Sequence, residues 1–273
     1  MAETRVAAEV ATPETPGRAR RMIAWLARYR VQTLGLILGA VIWEVVGRAG
    51  VSPALPPISA VIDAGRELWS SERFLDALQT SASSILIAFP PSVILGVTLG
   101  LLMGLFRPIE WVLRPYINMT LSLPLVAIIP IILLIFGLSQ TTIVVVIVLY
   151  VLPVVMVNTF SGVRSTDSDL LEMATTFNAR RWLTLRRIVI PSARALTLAG
   201  IRIGVGRSIT GGIVAEQVIG AFGLGGLVQR LGGAFAVEPL YAVIIFIGAV
   251  GVASLALINR IERKYQMRDV WPV

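Results

Sequence analysis

The sequence contains no cysteine and no histidine, and its one lysine is Lys264. These absences exclude disulfide bonds, thiol nucleophiles and imidazole bases, and they remove the side chains that most often bind zinc. Charged residues are also scarce, at 15% of the chain against about 25% in soluble domains. Three stretches, 77–106, 115–163 and 239–259, carry no charge at all. This composition indicates an integral membrane protein, and an unusually apolar soluble core is the alternative.

The charge-free stretches have the lengths of membrane-spanning helices. A helix rising about 1.5 Å per residue needs roughly 20 residues to cross a hydrocarbon layer about 30 Å thick. Backbone groups in lipid must bond to one another, so these stretches are predicted to be helical. The expected fold is all-α, a polytopic bundle of about six transmembrane helices. The predicted spans are 33–49, 80–106, 119–137, 142–161, 192–214 and 239–259, with a short basic loop at 107–114.

The arginines predict how this bundle lies in the membrane. If both termini are cytoplasmic, 18 of the 24 basic residues fall on the inner side, as the positive-inside rule requires. We therefore predict a multi-pass protein of the bacterial inner (plasma) membrane. Residues 1–32 would form a partly disordered cytoplasmic arm, 33–259 the transmembrane domain and 260–273 a cytoplasmic tail. Topology accounts for the positive charge, so the expected partner is the lipid bilayer and not nucleic acid.

The polar loop at 163–187 is predicted to contain a short, sharply ended helix. Asp167 can cap it, and Glu172 places negative charge early in the helix, where the helix dipole favours it. The helix is expected over 170–177, because Asn178 suits the left-handed position that follows a helix. A second turn is predicted over 180–187, before Pro191 opens the next span.

This short helix is predicted to protrude on the cytoplasmic side. Its exposed polar residues are expected to be Glu172, Thr175, Thr176 and Arg180. Its apolar residues are Leu170, Leu171, Ala174 and Phe177. Two interpretations remain open. The helix fits a cleft in a soluble partner and transmits rigid-body motion to the spans, or it packs on lipid headgroups as an ordinary amphipathic loop.

The same loop resembles the EAA loop of ABC importer permeases. That pattern is Glu-Ala-Ala, three residues, Gly, nine residues, then Ile, one residue and Leu-Pro. Here the matching positions begin with Glu172, Met173 and Ala174, continue at Asn178, and end with Ile188, Val189, Ile190 and Pro191. Met173 replaces an alanine and adds bulk, whereas Asn178 replaces the glycine and can still form the bend.

Further segments resemble the nitrate/sulfonate/taurine-type branch of this family. They are Pro56-Pro57-Ile58-Ser59-Ala60-Val61 after the first span, Asp169-Leu170-Leu171-Glu172, and Val214-Ala215-Glu216 followed by Gly223-Leu224-Gly225. The resemblance extends from about Trp43 to Arg268. It implies a type I permease architecture with a coupling loop over 163–191. The residues it assigns to ATPase coupling are Glu172, Met173, Ala174, Phe177, Asn178, Arg180, Arg181, Ile188 and Pro191.

The resemblance also implies the partners. They are two copies of an ABC ATPase subunit, a second permease copy in a homodimer, and a periplasmic or lipid-anchored substrate-binding protein. The chain has no phosphate-binding loop of the Gly-x-x-x-x-Gly-Lys-Ser/Thr type, so ATP hydrolysis must take place in a partner. The expectation is a non-enzymatic subunit without a cofactor of its own, with ATP and Mg²⁺ bound by the ATPase.

Three charged residues at membrane depth are candidates for the translocation pathway: Arg202, Arg207 and Glu216. Such groups are costly in lipid and usually face protein or a water-filled cavity. The two arginines are about 140° apart around a helix, so they need not share a face. Arg207 on the pathway would favour an anion. Structural roles compete, because Arg202 can bond to a neighbouring helix and Glu216 can cap or bridge near the exterior.

Glycines mark two further features of the same region. Gly200, Gly204, Gly211 and Gly212 permit close helix contact, either within the subunit or across a dimer. The stretch 220–236 is glycine-rich, which predicts bends near the exterior mouth, a half-inserted segment or a flexible loop.

Two other functional classes fit the sequence less well. A secondary transporter would show internal repeats, and no repeat stands out. A membrane enzyme would cluster its carboxylates, whereas Glu44, Glu110 and Glu216 are scattered along the chain. The function that the resemblance implies is a permease for a small, anionic solute such as nitrate, a sulfonate or taurine. The alternative is the same machinery for a neutral heterocycle or vitamin precursor.

Overall fold

The computed structural model describes the backbone of residues 18–266 and the side chains of residues 33–260. All regular secondary structure in this part of the chain is helical. The helices are α1 (Arg18–Arg48), α2 (Ile58–Trp69), α3 (Glu72–Leu105), α4 (Arg107–Ser122), α5 (Ile129–Phe136), α6 (Gln140–Arg164), α7 (Ser168–Thr176), α8 (Arg181–Thr184), α9 (Ile190–Ile219), α10 (Gly223–Gly233) and α11 (Val237–Gln266). A 3₁₀ turn (Leu125–Ile128) precedes α5, and a π-turn (Leu185–Val189) precedes α9.

The chain divides into two compact units, one ending at Ala60 and the other beginning at Val61. Within the first unit, the Trp43 indole donates a 2.9 Å hydrogen bond to the Pro56 carbonyl. The Glu44 carboxylate accepts hydrogen bonds from the amide and the hydroxyl of Ser59, at 3.0 and 2.9 Å. Glu44, predicted near the end of a span, therefore caps the first turn of the following helix.

Helix α6 lies at the centre of the second unit, between α3 and α9. Its residues Ile143, Ile147, Val151 and Val155 have no exposed surface. Glycines on α9 allow the close approach, since a Cβ atom added at Gly200 would lie 2.6 Å from the Asn158 Cβ. The other α9 glycines predicted for close contact also face α6: Gly204, Gly211 and Gly212. These glycines therefore serve packing within the subunit.

Four described helices are long and apolar enough to cross a membrane: α3, α6, the continuous stretch Arg181–Ile219, and Val237–Arg260 of α11. A fifth span is possible if α4 and the segment Leu125–Phe136 count as one, although they are bent by 99°. The span predicted at 33–49 falls on α1, where Leu36 and Val45 are exposed. This span stays a prediction, and so does the count of six.

Two helices extend beyond the spans predicted near the termini. Helix α1 begins at Arg18, so residues 18–32 of the arm, which was predicted to be partly disordered, are helical. At the other end, α11 continues to Gln266 into the predicted tail. Residues 1–17 and 267–273, the remainder of the arm and tail, lie outside the described residues.

Two internal predictions were wrong. The basic loop expected at 107–114 belongs to α4, and the span expected at 119–137 is broken after Ser122. Proline disfavours the α conformation in the residue before it, and Leu123, which precedes Pro124, is extended at φ −78° and ψ 139°. The glycine-rich stretch at 220–236 is also not a plain loop, because it contains α10.

Candidate functional site

Helix α7 has well-defined caps at both ends. At its start, the Asp167 carboxylate accepts a 2.9 Å hydrogen bond from the Asp169 amide. At its end, Asn178 has a φ of 50°, in the left-handed region predicted from the sequence. The amides of Asn178 and Ala179 donate to the carbonyls of Thr175 and Ala174, both at 2.9 Å. These two bonds form a Schellman motif, which fixes the direction in which the chain leaves the helix.

The apolar residues of α7 divide between an inner and an outer side. Ala174 is 7% exposed, and Leu171 packs against the cluster of Val163, Val189 and Ala193. Phe177 is 78% exposed and Met173 50% exposed, so both are available to a partner. The loop therefore anchors itself with one face and presents a second apolar face outward.

Trp182 adds to this outward surface and was missed in the sequence analysis. It lies in α8 and is 67% exposed. The family pattern carries no marker at this position, and only the exposure distinguishes Trp182 from a buried tryptophan. The predicted coupling residues Glu172, Arg180 and Arg181 are also exposed, whereas Ile188 is half-buried.

A continuous helical path joins this surface to a membrane span. Helix α8, the π-turn and α9 follow one another without interruption from Arg181 to Ile219. In the π-turn the Ile190 amide donates to the Leu185 carbonyl, five residues earlier. Pro191, which has no amide hydrogen to donate, lies in the first turn of α9. A displacement of the loop can therefore pass into α9 as a rigid movement.

The carboxylate of Glu110 ties α4 to the end of α6. It is 4% exposed and accepts hydrogen bonds from Arg114 at 3.0 Å and Arg164 at 2.5 Å. Arg164 is three positions before the Asp167 cap of α7, so this cluster adjoins the loop. Sequence analysis treated Glu110 as an isolated carboxylate, because nothing in one sequence links residues 54 positions apart.

Of the three predicted intramembrane charges, Glu216 is fully buried. Its Oε2 accepts hydrogen bonds from the Ser81 hydroxyl at 2.8 Å and the Gly225 amide at 2.9 Å. The Leu224 amide donates to the Ser81 oxygen, also at 2.8 Å. Glu216 and Ser81 together satisfy amides at the start of α10. This geometry is that of a helix cap, one of the two structural roles, cap or bridge, that the sequence analysis considered for Glu216.

The two arginines of α9 differ in their surroundings. Arg207 is exposed and lines a cavity of about 280 Å³ together with Thr120, Tyr150 and residues 123–126. No carboxylate lies within 4 Å of its guanidinium among the side chains of residues 33–260. Arg202 is half-buried and is engaged in another interaction.

Comparison with known families gives one clear match. The family described as "Binding-protein-dependent transport system inner membrane component" matches residues 92–267, more than half of the chain. The match includes α7, the cavity around Arg207 and the Glu216 cap.

Curated relatives match most of the chain. A Bacillus subtilis protein named as a permease for aliphatic sulfonates, SsuC, is 29% identical over 93% of this chain and 91% of its own length. The taurine transport system permease TauC of Escherichia coli is 28% identical, over 84% of this chain and 82% of its own length. The formylaminopyrimidine transport permease ThiX of Halalkalibacterium halodurans is 30% identical, over 84% of this chain and 92% of its own length.

The fold also matches solved transporter structures. A bacterial alginate ABC transporter bound to its alginate-loaded periplasmic protein aligns with a TM-score of 0.60, over 88% of this chain and 97% of the matched chain. The two sequences are 15% identical, so this similarity concerns the fold alone.

Proposed function

Because this chain belongs to the family of binding-protein-dependent transport system inner membrane components, in the sulfonate/taurine-type branch of the ABC permeases, we propose that α7 is its coupling helix. In this proposal α7 seats in a groove of a partner ATPase subunit. Closure of an ATPase pair around ATP and Mg²⁺ then turns the spans outward, and hydrolysis returns them inward. The chain supplies the pathway and its partner supplies the energy.

The outward apolar face of α7 is the observation that carries this proposal. An exposed phenylalanine on a rigid, capped helix loses little conformational entropy when it enters a cleft, and its burial contributes about 1.5–3 kcal/mol. Phe177 and Met173 have this exposure, while the inner face of α7 is fixed to the protein. Arg180 and Arg181 would contribute charge at the edge of the contact.

The proposed assembly contains two copies of this permease, two ATPase subunits and a periplasmic or lipid-anchored substrate-binding protein. Both termini and α7 lie on the cytoplasmic side in this arrangement. The distribution of basic residues supports it, because the segments that it places inside carry 18 of the 24 lysines and arginines. The domain limits proposed from the sequence, 33–259 for the transmembrane domain and 163–191 for the coupling loop, fit this arrangement.

We propose a small anionic solute as the cargo, with Arg207 on its pathway. The names of SsuC and TauC, which refer to sulfonates and taurine, support this choice. The second candidate is a neutral heterocycle, favoured by the similarity to ThiX and to a riboflavin permease, RibX of Chloroflexus aurantiacus, which is 30% identical over 87% of this chain.

Co-purification with the ATPase encoded beside this permease tests the coupling role. Phe177→Ala should reduce recovery of the ATPase and its stimulation by the loaded binding protein, and deletion of residues 172–182 should abolish both. Phe235→Ala is the matched control, since Phe235 is equally exposed, at 86%, but lies between α10 and α11. Undiminished ATPase recovery after the deletion would refute the proposal.

A further inference from the structure

The cavity beside Arg207 combines three features that a packed helix contact does not need. They are the exposed guanidinium of Arg207, a break between two helices, and a tyrosine held in a fixed position. The inference rests on the proposed function and concerns the chemistry of the solute.

The first feature is the charge on Arg207. Arginine stays protonated in proteins, and a charge at bilayer depth is costly unless it faces protein partners or water. Arg207 lies within the continuous stretch Arg181–Ile219, and within residues 33–260 no carboxylate forms an ion pair with it. Water in the cavity would solvate this charge, and a mobile anion would neutralise it.

The second feature is the irregular backbone that lines the same cavity. Leu123 and Pro124 are exposed and extended between α4 and the 3₁₀ turn, and both contribute to the cavity wall. Non-helical backbone at membrane depth is tolerated only where it is buried in protein or lines a water-filled space. The exposed break between α4 and the 3₁₀ turn therefore indicates that water fills the cavity at this wall.

The third feature is the fixed position of Tyr150. Its ring lies against α9 at Gly211, where an added Cβ would approach the ring to 2.8 Å. Arg207 is four positions earlier on the same helix, which places it one turn away on the same face. The two side chains are close enough to interact electrostatically and line one cavity. The close approach at Gly211 thus fixes the ring of Tyr150 against the face of α9 that carries Arg207.

We propose that this cavity is an anion-binding site on the solute pathway, in which Arg207 and Tyr150 hold a sulfonate or carboxylate group. A guanidinium and a hydroxyl donor suit the oxygens of such a group. The volume of about 280 Å³ is just below the usual range of ligand pockets, about 300–1,000 Å³. It accommodates a short-chain anion with a few waters. A single guanidinium binds weakly enough for the solute to leave again, as passage requires.

Charged thiol reagents can test the site directly in the assembled transporter. The chain has no cysteine, so Thr120→Cys places one thiol in the cavity wall, and Val154→Cys places one in the opposite wall as a second reporter. The probes are two methanethiosulfonates of similar size, one ending in a sulfonate and one in a trimethylammonium group. Their relative reaction rates report the local electrostatic potential.

We expect the sulfonate reagent to react faster with both reporters. Arg207→Gln should lower the ratio of the two rates by roughly tenfold, whereas Arg207→Lys should retain most of it. Arg230→Gln is the control, because it removes the same charge from a residue that lines a different cavity. Methanesulfonate should slow the labelling more than dimethyl sulfone, a neutral molecule of similar shape, does at equal ionic strength, and Arg207→Gln should abolish that protection.

The site is refuted if Arg207→Gln leaves the rate ratio unchanged, if methanesulfonate does not protect, or if neither reagent reaches either thiol. The last result would mean that lipid or a second copy covers the cavity. These outcomes do not depend on ATP coupling. A wild-type complex that failed to couple would instead refute the proposed function and leave the labelling result standing.

Discussion

The hydroxyl of Ser81 on α3 donates a 2.8 Å hydrogen bond to Oε2 of Glu216 on α9, 135 positions later in the chain. The same hydroxyl oxygen accepts the Leu224 amide, and the same carboxylate oxygen accepts the Gly225 amide. Both amides belong to the first turn of α10. Two side chains from separate helices therefore hold the start of a third, and α10 depends on them for its position.

Replacing Ser81 should lower the stability of the fold by more than the loss of one hydrogen bond would. Ser81→Ala leaves the buried Leu224 amide without its partner and takes one donor from a buried carboxylate, and each unsatisfied group costs about 1–3 kcal/mol. We expect the thermal midpoint of the purified permease to fall. Thr98→Ala is the control, since Thr98 lies on the same helix, is exposed, and donates its hydroxyl to the Ile94 carbonyl of that helix. Equal midpoints for the two variants would contradict the capping role.

Gly223 should tolerate no side chain. Its φ is 67°, and an added Cβ would lie 2.1–2.3 Å from the atoms of the Glu216 carboxylate. Gly223→Ala should therefore displace α10, lower the thermal midpoint and increase protease cleavage near 220–236. Gly233→Ala, at the other end of α10, meets no atom within 4 Å and should be neutral or slightly stabilising, because alanine favours helices by about 1 kcal/mol. Comparable effects of the two changes would argue against this packing.

The bend after α7 should depend on backbone conformation rather than on the asparagine side chain. Asn178→Gly should keep ATPase recovery at the wild-type level, since glycine adopts a φ of 50° without strain. Asn178→Val should reduce it, because a β-branched residue is a strong outlier in this region. The measurement is co-purification with the ATPase at equal permease levels. Full recovery with valine would show that the bend is not needed for docking.

The ion pair between Arg164 and Glu110 should contribute more to the free energy of unfolding than an exposed ion pair does. Arg164→Ala leaves a buried carboxylate with only Arg114, at 3.0 Å, and we expect a loss of about 2 kcal/mol in unfolding free energy. The further change Glu110→Gln should recover part of that loss, because it removes the buried charge. A double-mutant cycle on thermal stability measures this coupling, and strictly additive effects would contradict it.

Patterns within short segments were sufficient for much of the fold. The charge-free stretches predicted α3, α6 and α11, since lipid leaves the backbone no alternative to helix over such lengths. The asparagine at position 178 predicted a left-handed bend, and the structure has one. The spacing of the loop at 172–191 predicted the family, which the family match confirms.

Predictions from short segments were insufficient where residues distant in the sequence supplied hydrogen-bond partners for backbone amides. A flexible loop was one of the alternatives for 220–236, because glycine weakens helices, yet Glu216 and Ser81 cap amides of this stretch and α10 forms. The helix predicted as one span at 119–137 is divided by the effect of Pro124 on Leu123, while the arginines that suggested a loop at 107–114 lie in α4.

The sequence by itself determined the membrane class, the positions of α3, α6, α9 and α11, and the bend after α7, because each depends on residues close together in the chain. Only the tertiary structure determined the surroundings of each charged residue. It placed Glu216 in a cap, Glu110 in a buried ion cluster and Arg207 beside Tyr150 on an open cavity. Those roles depend on contacts between residues as many as 143 positions apart, and the packing of glycine-bearing helices against α6 brings such residues together.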